Sequence, residues 1–210
     1  MIDIQKVPLK EKIASVLMQR IIDGDIVAGQ KLKESHLAKE FGVSQAPVRE
    51  AMILLTAQGI LEYIPNVGTR VKSYSKEETI EIYEVREALE LYAAQTIEKF
   101  GQLSNLKQMY HKMLEVAKKK DIHQFVEYDQ FFHELLVQNR DNNLVVKLWR
   151  EQYTKSSVQN IVKGFESTLE DIVKMHQPII EAIEKKSTDA YIKAIHHHYE
   201  VIIANIKEDT

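Results

Sequence analysis

The 210-residue chain, 44% hydrophobic and 28% charged with only 7 Gly and 4 Pro, has the composition of an ordered protein of one large domain or two modest ones. It has no Cys, which excludes a disulfide framework, a thiolate metal site and a cysteine nucleophile, and leaves nitrogen and oxygen ligands for any metal. The net charge of −3 is uneven, because residues 1–72 carry 10 Lys and Arg against 8 Asp and Glu while residues 73–210 carry 18 against 23. The mildly basic front points to an anionic partner, and seven of the eight His lie after residue 100. No apolar run approaches the roughly 18 residues that cross a bilayer, and Met1 to Lys6 do not read as a signal peptide, so a cytoplasmic protein with no membrane contact is expected.

Pro8 to Asp23 is predicted as an amphipathic helix closed by Gly24, with Leu9, Ile13, Val16, Leu17 and Ile21 on one side. A second helix begins near Glu34 and Ser35 and stops at Gly42. Ser44 is expected to cap a third that runs through Gln58, with Pro47 in its first turn. Ala38, Gly42 and Val48 stand at helix-turn-helix spacing: a small residue for close crossing, Gly for the turn, an apolar anchor for the second helix. The start of that second helix, with Gln45, Ala46 and Arg49 exposed, is the part that enters a major groove in such a motif, the alternative being a fold of this kind used for protein contacts. Ile60 to Ile64, Pro65 to Gly68 and Thr69 to Lys72 read as strand, turn and returning strand, a two-stranded wing. Arg49 and Gln45 are placed to read bases, and Lys31, Lys33 and Arg70, on the flank and the wing, to meet phosphate.

Ile21 to Gly24, Ala28 to Leu32, Leu37-Ala38 through Phe41 to Ala51, Gly59 to Leu61 and Asn66 to Thr69 together resemble the DNA-binding domain of GntR-superfamily transcription regulators over nearly all of residues 8–72. The resemblance implies a base-reading role for Arg49, places Ser44 and Ala46 at the DNA-facing start of the helix, and implies close backbone approach at Gly68. Two positions depart from the family: Gln45 stands where Arg is usual, and Val67 where a basic wing residue is frequent. Gln pairs naturally with adenine, whereas Arg prefers guanine.

Beyond Val71 apolar residues recur at three- and four-residue steps, as in Ile82, Val85, Leu89 and Tyr92. Breaks at Gly101, residues 118–121, 139–143, 164–167 and 185–187 divide this part into six helices, an antiparallel bundle. The expected fold is therefore mainly α, a winged helix-turn-helix over 1–73 followed by an all-helical domain over 74–210. Asp129 and His133, four apart, project from one helix face, and a turn at residues 186–188 lies midway between His176 and His198. A hairpin there brings the two His to one level, so three helices converge on one point of the bundle. Tyr191, Ile195, His198, Ile202 and Ile206 trace one apolar stripe, which turns His198 inward and His196 and His197 outward. An Asp–His pair four apart is by itself more often a surface contact, and a lone His176 a satisfied polar group. The shared level of all four favours a metal site. Pro178 predicts a kinked helix beside His176.

Val85 to Glu90, Asp129 with Phe132-His133 and Asn142, and His176 with His198 are similar to the helical FCD effector domain of these regulators, in its smaller six-helix form. That resemblance implies a divalent metal on Asp129, His133, His176 and His198, zinc first with nickel or manganese as alternatives, and a small carboxylate effector on Arg86. It implies a homodimer on a pseudo-palindromic double-stranded operator, with no catalysis. Two other readings stand beside it: a metallohydrolase, for which no general base is identified because Glu134 points elsewhere, and a metal-free regulator in which these residues bond one another. For Arg86 the competing role is a structural ion pair with Glu90 or another acidic residue.

Overall fold

The computed structural model describes residues 7–163 and 169–208. Helix α1, Leu9–Ile22, follows Pro8, and Ile13, Ala14, Leu17 and Ile21 form its buried face. Strand β1 is Lys31–Leu32, α2 is Glu34–Phe41 and α3 is Gln45–Ala57. Gly42 ends α2 in the left-handed region at φ 66°, a conformation glycine adopts without a Cβ clash, and the Val43 N–H closes back on the Ala38 carbonyl. Ser44 stands at the N-cap of α3 as expected, but its hydroxyl makes no capping hydrogen bond. Val48, Ala51, Met52 and Leu55 turn inward against α1, each large apolar side chain contributing about 1.5–3 kcal/mol by leaving water.

The wing differs from the prediction by one strand. Strand β2, Leu61–Ile64, pairs antiparallel with β3, Gly68–Val71, but β3 also pairs with β1, in the order β1-β3-β2. Two residues are too short to show an alternating pattern, so β1 was not legible as a strand; Leu32 buries beneath the sheet and its backbone finds partners on β3. Gly68, at φ 103°, has open space where a Cβ would stand, so the backbone angle rather than crowding selects glycine there.

The chain divides into two compact units, one of residues 7–73 with Val158–Lys163, the other of Tyr74–Ser157 and the described chain from Leu169 on. The second begins at Ser75, which caps α4, Lys76–Ala93: its hydroxyl accepts from the Glu78 N–H, and the Glu78 carboxylate accepts from the Ser75 N–H. A 3-10 turn, Ala94–Lys99, leads into α5, Leu103–Lys118, α6, Ile122–Gln138, and α7, Asn143–Lys163. Then come α8, Leu169–Lys174, α9, Gln177–Glu184, and α10, Thr188–Glu208. The predicted break at residues 164–167 lies outside the described residues. Among the described residues this unit has seven helices rather than six, because the element expected to kink at Pro178 breaks outright. A Pro inside a continuous helix would collide with the Lys174 carbonyl; instead α8 ends at Lys174, His176 occupies the N-cap position of α9 without a side-chain capping bond, and Pro178 falls in the first turn, where its missing N–H costs nothing.

The larger core is built from α4, α5, α6, α8, α9 and α10, with Leu106, Met113, Phe132, Leu136, Ile179, Tyr191, Ile195 and Tyr199 at its centre. A smaller cluster, Val137, Val146, Trp149 and Tyr153, seats α7. Among the described residues no helix is long and apolar enough to cross a membrane.

Candidate functional site

The DNA-facing candidates lie on the exposed surface of the first unit. Gln45, Ala46 and Arg49 are exposed at the start of α3, and Ser44, Lys31 and Lys33 are exposed beside it. Arg49 is not loose: its Nε and Nη2 both donate to Glu34 Oε2 at 2.9 Å, which raises its already high pKa. Arg70 donates from Nε to Glu62 Oε1 at 2.7 Å, in the cross-strand row that also holds Lys31. These pairs are exposed or half-exposed, where an ion pair is worth little and exchanges readily.

The second site is buried. The His133, His176 and His198 rings lie within 2% of full burial, and nitrogen atoms from all three come within 4.8 Å of one another. His133 Nε2 lies 3.1 Å from His176 Nε2, which lies 3.1 Å from Asp129 Oδ1. Asp129 and His133 sit one turn apart on α6, with Oδ1 and Nε2 separated by 3.8 Å. His176 stands in the break between α8 and α9, and the His198 ring packs 4.7 Å from it. The rotational argument for α10 agrees with the packing: the His198 side chain is buried, whereas those of His196 and His197 are 61% and 68% exposed, facing Glu87 and Glu200.

The tautomers follow from the partners. His133 Nδ1 lies 2.8 Å from Glu90 Oε2, and His176 Nδ1 lies 3.0 Å from the Ile172 carbonyl. Carboxylate and carbonyl oxygens only accept, so when either ring is neutral and holds this bond its proton sits on Nδ1 and its Nε2 lone pair faces the cluster. Two imidazole lone pairs and a carboxylate oxygen thus converge, and His198 Nδ1 is buried with no hydrogen-bond partner. With the rings neutral this is a set of acceptors whose nitrogen and oxygen chemistry suits a divalent metal; without a cation, protons on His133 and His176 take up that role. Burial disfavours charge on Asp129, but the His176 hydrogen bond and the charges of His133, His176 and Arg86 hold its carboxyl well below the usual range. Burial, with the His176 and His133 charges, pushes the His198 pKa well down, so this ring stays neutral.

Arg86 lies 3% exposed on α4, its guanidinium 4.6 Å from the Tyr153 ring centre, 5.2 Å from that of Tyr83 and 5.6 Å from those of Trp149 and Tyr199. Nη1 donates to the Ser156 hydroxyl at 2.9 Å, and Nε is buried with no acceptor. Burial opposes the charge, and the oxygens of Tyr199, Tyr83, Glu90 and Tyr153 more than offset it. Arg86 and Glu90 attract one another through their charges, but among the described residues no direct hydrogen bond joins them. The fully buried Glu90 carboxylate accepts instead from His133, from Trp149 Nε1 at 2.8 Å and from the Tyr199 hydroxyl at 2.5 Å. Glu134 is engaged by Arg150 and Gln138, away from the three His. Sequence reasoning did not find Ser156, Trp149, Tyr199 or the service of Glu90 to His133. A carboxylate in the buried phase of α4 was the one available signal.

A helix-turn-helix with a wing, joined in one chain to a helical unit with a buried polar cluster, defines a ligand-responsive DNA-binding regulator. The chain belongs to the GntR family with an FCD domain: residues 9–71 match the bacterial regulatory proteins of the gntR family, and residues 81–201 match the FCD domain. It is similar to the gluconate operon transcriptional repressor of Bacillus licheniformis, 28% identical over 94% of this chain and 84% of the relative. It is also similar to the HTH-type transcriptional repressor RspR of Escherichia coli (strain K12), 27% identical over 96% and 90%. The fold matches a GntR transcriptional regulator from Rhodococcus sp. RHA1 with TM-score 0.86, 21% identity, and coverage of 96% and 98%. These relatives are regulators rather than enzymes, which sets aside the metallohydrolase.

Proposed function

We propose that this chain is a homodimeric, cytoplasmic regulator that binds a pseudo-palindromic operator and senses a small organic acid beside a divalent metal. Zinc is the first candidate, with nickel or manganese next. Asp129, His133, His176 and His198 hold the metal, and the observation that carries this assignment is the convergence of two imidazole Nε2 atoms and a carboxylate oxygen beside the buried His198 ring. A bound divalent cation supplies positive charge and open coordination positions that a carboxylate can fill. Arg86 supplies the second grip, because its buried Nε–H lacks an acceptor and a guanidinium binds carboxylates through parallel bonds. The name of the B. licheniformis relative adds weight to that ligand class, since gluconate is itself a small hydroxycarboxylate. On the DNA side Arg49 and Gln45 read bases from α3, and Lys31, Lys33 and Arg70 contact phosphate. Ser44, Ala46 and Gly68 line the approaching backbone. Exposed Val85 on α4 and Leu144 and Leu148 on α7 supply apolar surface for pairing of two copies.

The test is metal analysis of purified protein followed by a thermal-shift screen of small carboxylates, gluconate first, with and without a chelator. A ligand that binds only the folded state raises apparent stability. Stoichiometric metal and a carboxylate shift abolished by chelator are expected. Metal-free protein with an undiminished carboxylate response favours the alternative, in which a proton shared between His176 Nε2 and Asp129 Oδ1 takes the place of the cation.

A further inference from the structure

Glu90 is a buried anion that no DNA, metal or effector role yet uses. An ion this deep is costly unless its lone pairs are filled, and here three donors from α6, α7 and α10 fill them: His133 Nδ1, Trp149 Nε1 and the Tyr199 hydroxyl. A pure acceptor at this position directs the proton of a neutral His133 ring to Nδ1. A glutamine amide could turn its NH2 to His133, moving the ring proton to Nε2, where it would occupy the point at which the cluster needs a lone pair. Two of the three donors also wall the guanidinium of Arg86, with the Trp149 and Tyr199 rings each 5.6 Å from it.

We propose that Glu90 is a positioning residue for the metal: it locks the tautomer of His133, and through Trp149 and Tyr199 it ties that ligand to the cage around Arg86. This inference rests on the metal-sensing reading above. A displacement of His133 is transmitted to the carboxylate, and the carboxylate holds two walls of the anion site. The coupling is therefore a contiguous hydrogen-bonded path through one side chain.

The experiment uses Zn2+ alone as probe, with its affinity measured by competition against a chromophoric chelator, together with long-range proton–nitrogen spectra of 15N-histidine-labelled wild-type protein. Glu90→Gln, similar in size but uncharged, is expected to bind Zn2+ about 10–100-fold more weakly than wild type. His133 in the wild type is expected to be protonated on Nδ1 before and after Zn2+ is added. The single tryptophan, Trp149, reports the path: its emission changes with Zn2+ in wild type and not in Zn2+-saturated Glu90→Gln. Equal Zn2+ affinity of the two proteins overturns the proposal. If wild type binds no Zn2+, the metal reading fails, and the spectra of the metal-free protein still decide whether Glu90 sets the tautomer. Should Glu90→Gln lose its helical circular dichroism, the wild-type spectra decide alone, and a His133 proton on Nε2 overturns the assignment.

Discussion

The two units treat charge in opposite ways. In the first, Arg49 meets Glu34, Arg20 meets Glu40 and Lys10 meets Glu50 at the surface, where water screens each pair and little is lost when one partner changes. In the second, Arg86, Glu90, His133, His176 and His198 are at most 3% exposed, and every polar atom there requires a partner. The surface proposed to face DNA can therefore exchange an internal carboxylate for an external phosphate at low cost. The buried cluster cannot exchange anything cheaply, and the atoms it leaves unsatisfied, Arg86 Nε and His198 Nδ1, are the ones for which the proposed ligands would supply partners.

The largest test of that contrast is Glu90→Ala, which strands three buried donors at once. It should destabilise the protein by about 3–5 kcal/mol in urea unfolding, whereas Glu34→Ala should stay within about 0.5 kcal/mol. A small effect at Glu90 would remove the distinction between the units. Next in size, Arg86→Met should weaken the binding of a responsive carboxylate by about 1.5–3 kcal/mol, read by calorimetry, while operator affinity without ligand is retained. Arg49→Ala should do the reverse. It should leave the melting temperature nearly unchanged and cost about 1–3 kcal/mol at a selected DNA site but little on unrelated duplex. Loss of stability comparable to that of Glu90→Ala would show that the Arg49–Glu34 pair is structural.

The smallest effect is one of pH. Folding holds the His198 pKa well below its ordinary 6.5, so the unfolded chain takes up this proton first. The associated stability is present above pH 6.5 and falls as pH drops below it, by at most about 1.4 kcal/mol per pH unit for one proton. Metal-free protein should show this slope in denaturant titrations between pH 6.5 and 5, and His198→Gln should lose it. Asp129, whose pKa is also depressed, should add its loss only below the ordinary carboxylate value near 3.8. No comparable slope is expected from Arg49, whose pairing with Glu34 raises its pKa further.

Local chemistry was enough to read much of this molecule from its residues. Gly42 and Pro47 punctuate α2 and α3, Gly101 and the 118–121 and 185–187 segments separate helices of the second unit, and the period through Tyr191, Ile195 and His198 picks the inward His of three in a row. Backbone preference and helical period act within a few residues, so they are legible without the fold. Tertiary structure decided what those rules do not reach. Strand β1 exists because β3 offers it partners nearly forty residues away, and the break ahead of Pro178 sets His176 against the His133 and His198 rings of other helices. Glu90 became the partner of His133 rather than of Arg86 because packing brought α4, α6, α7 and α10 together around it. A buried ion takes the donors that the fold delivers, and those lie 43, 59 and 109 residues along the chain, a separation at which no local pattern specifies a contact.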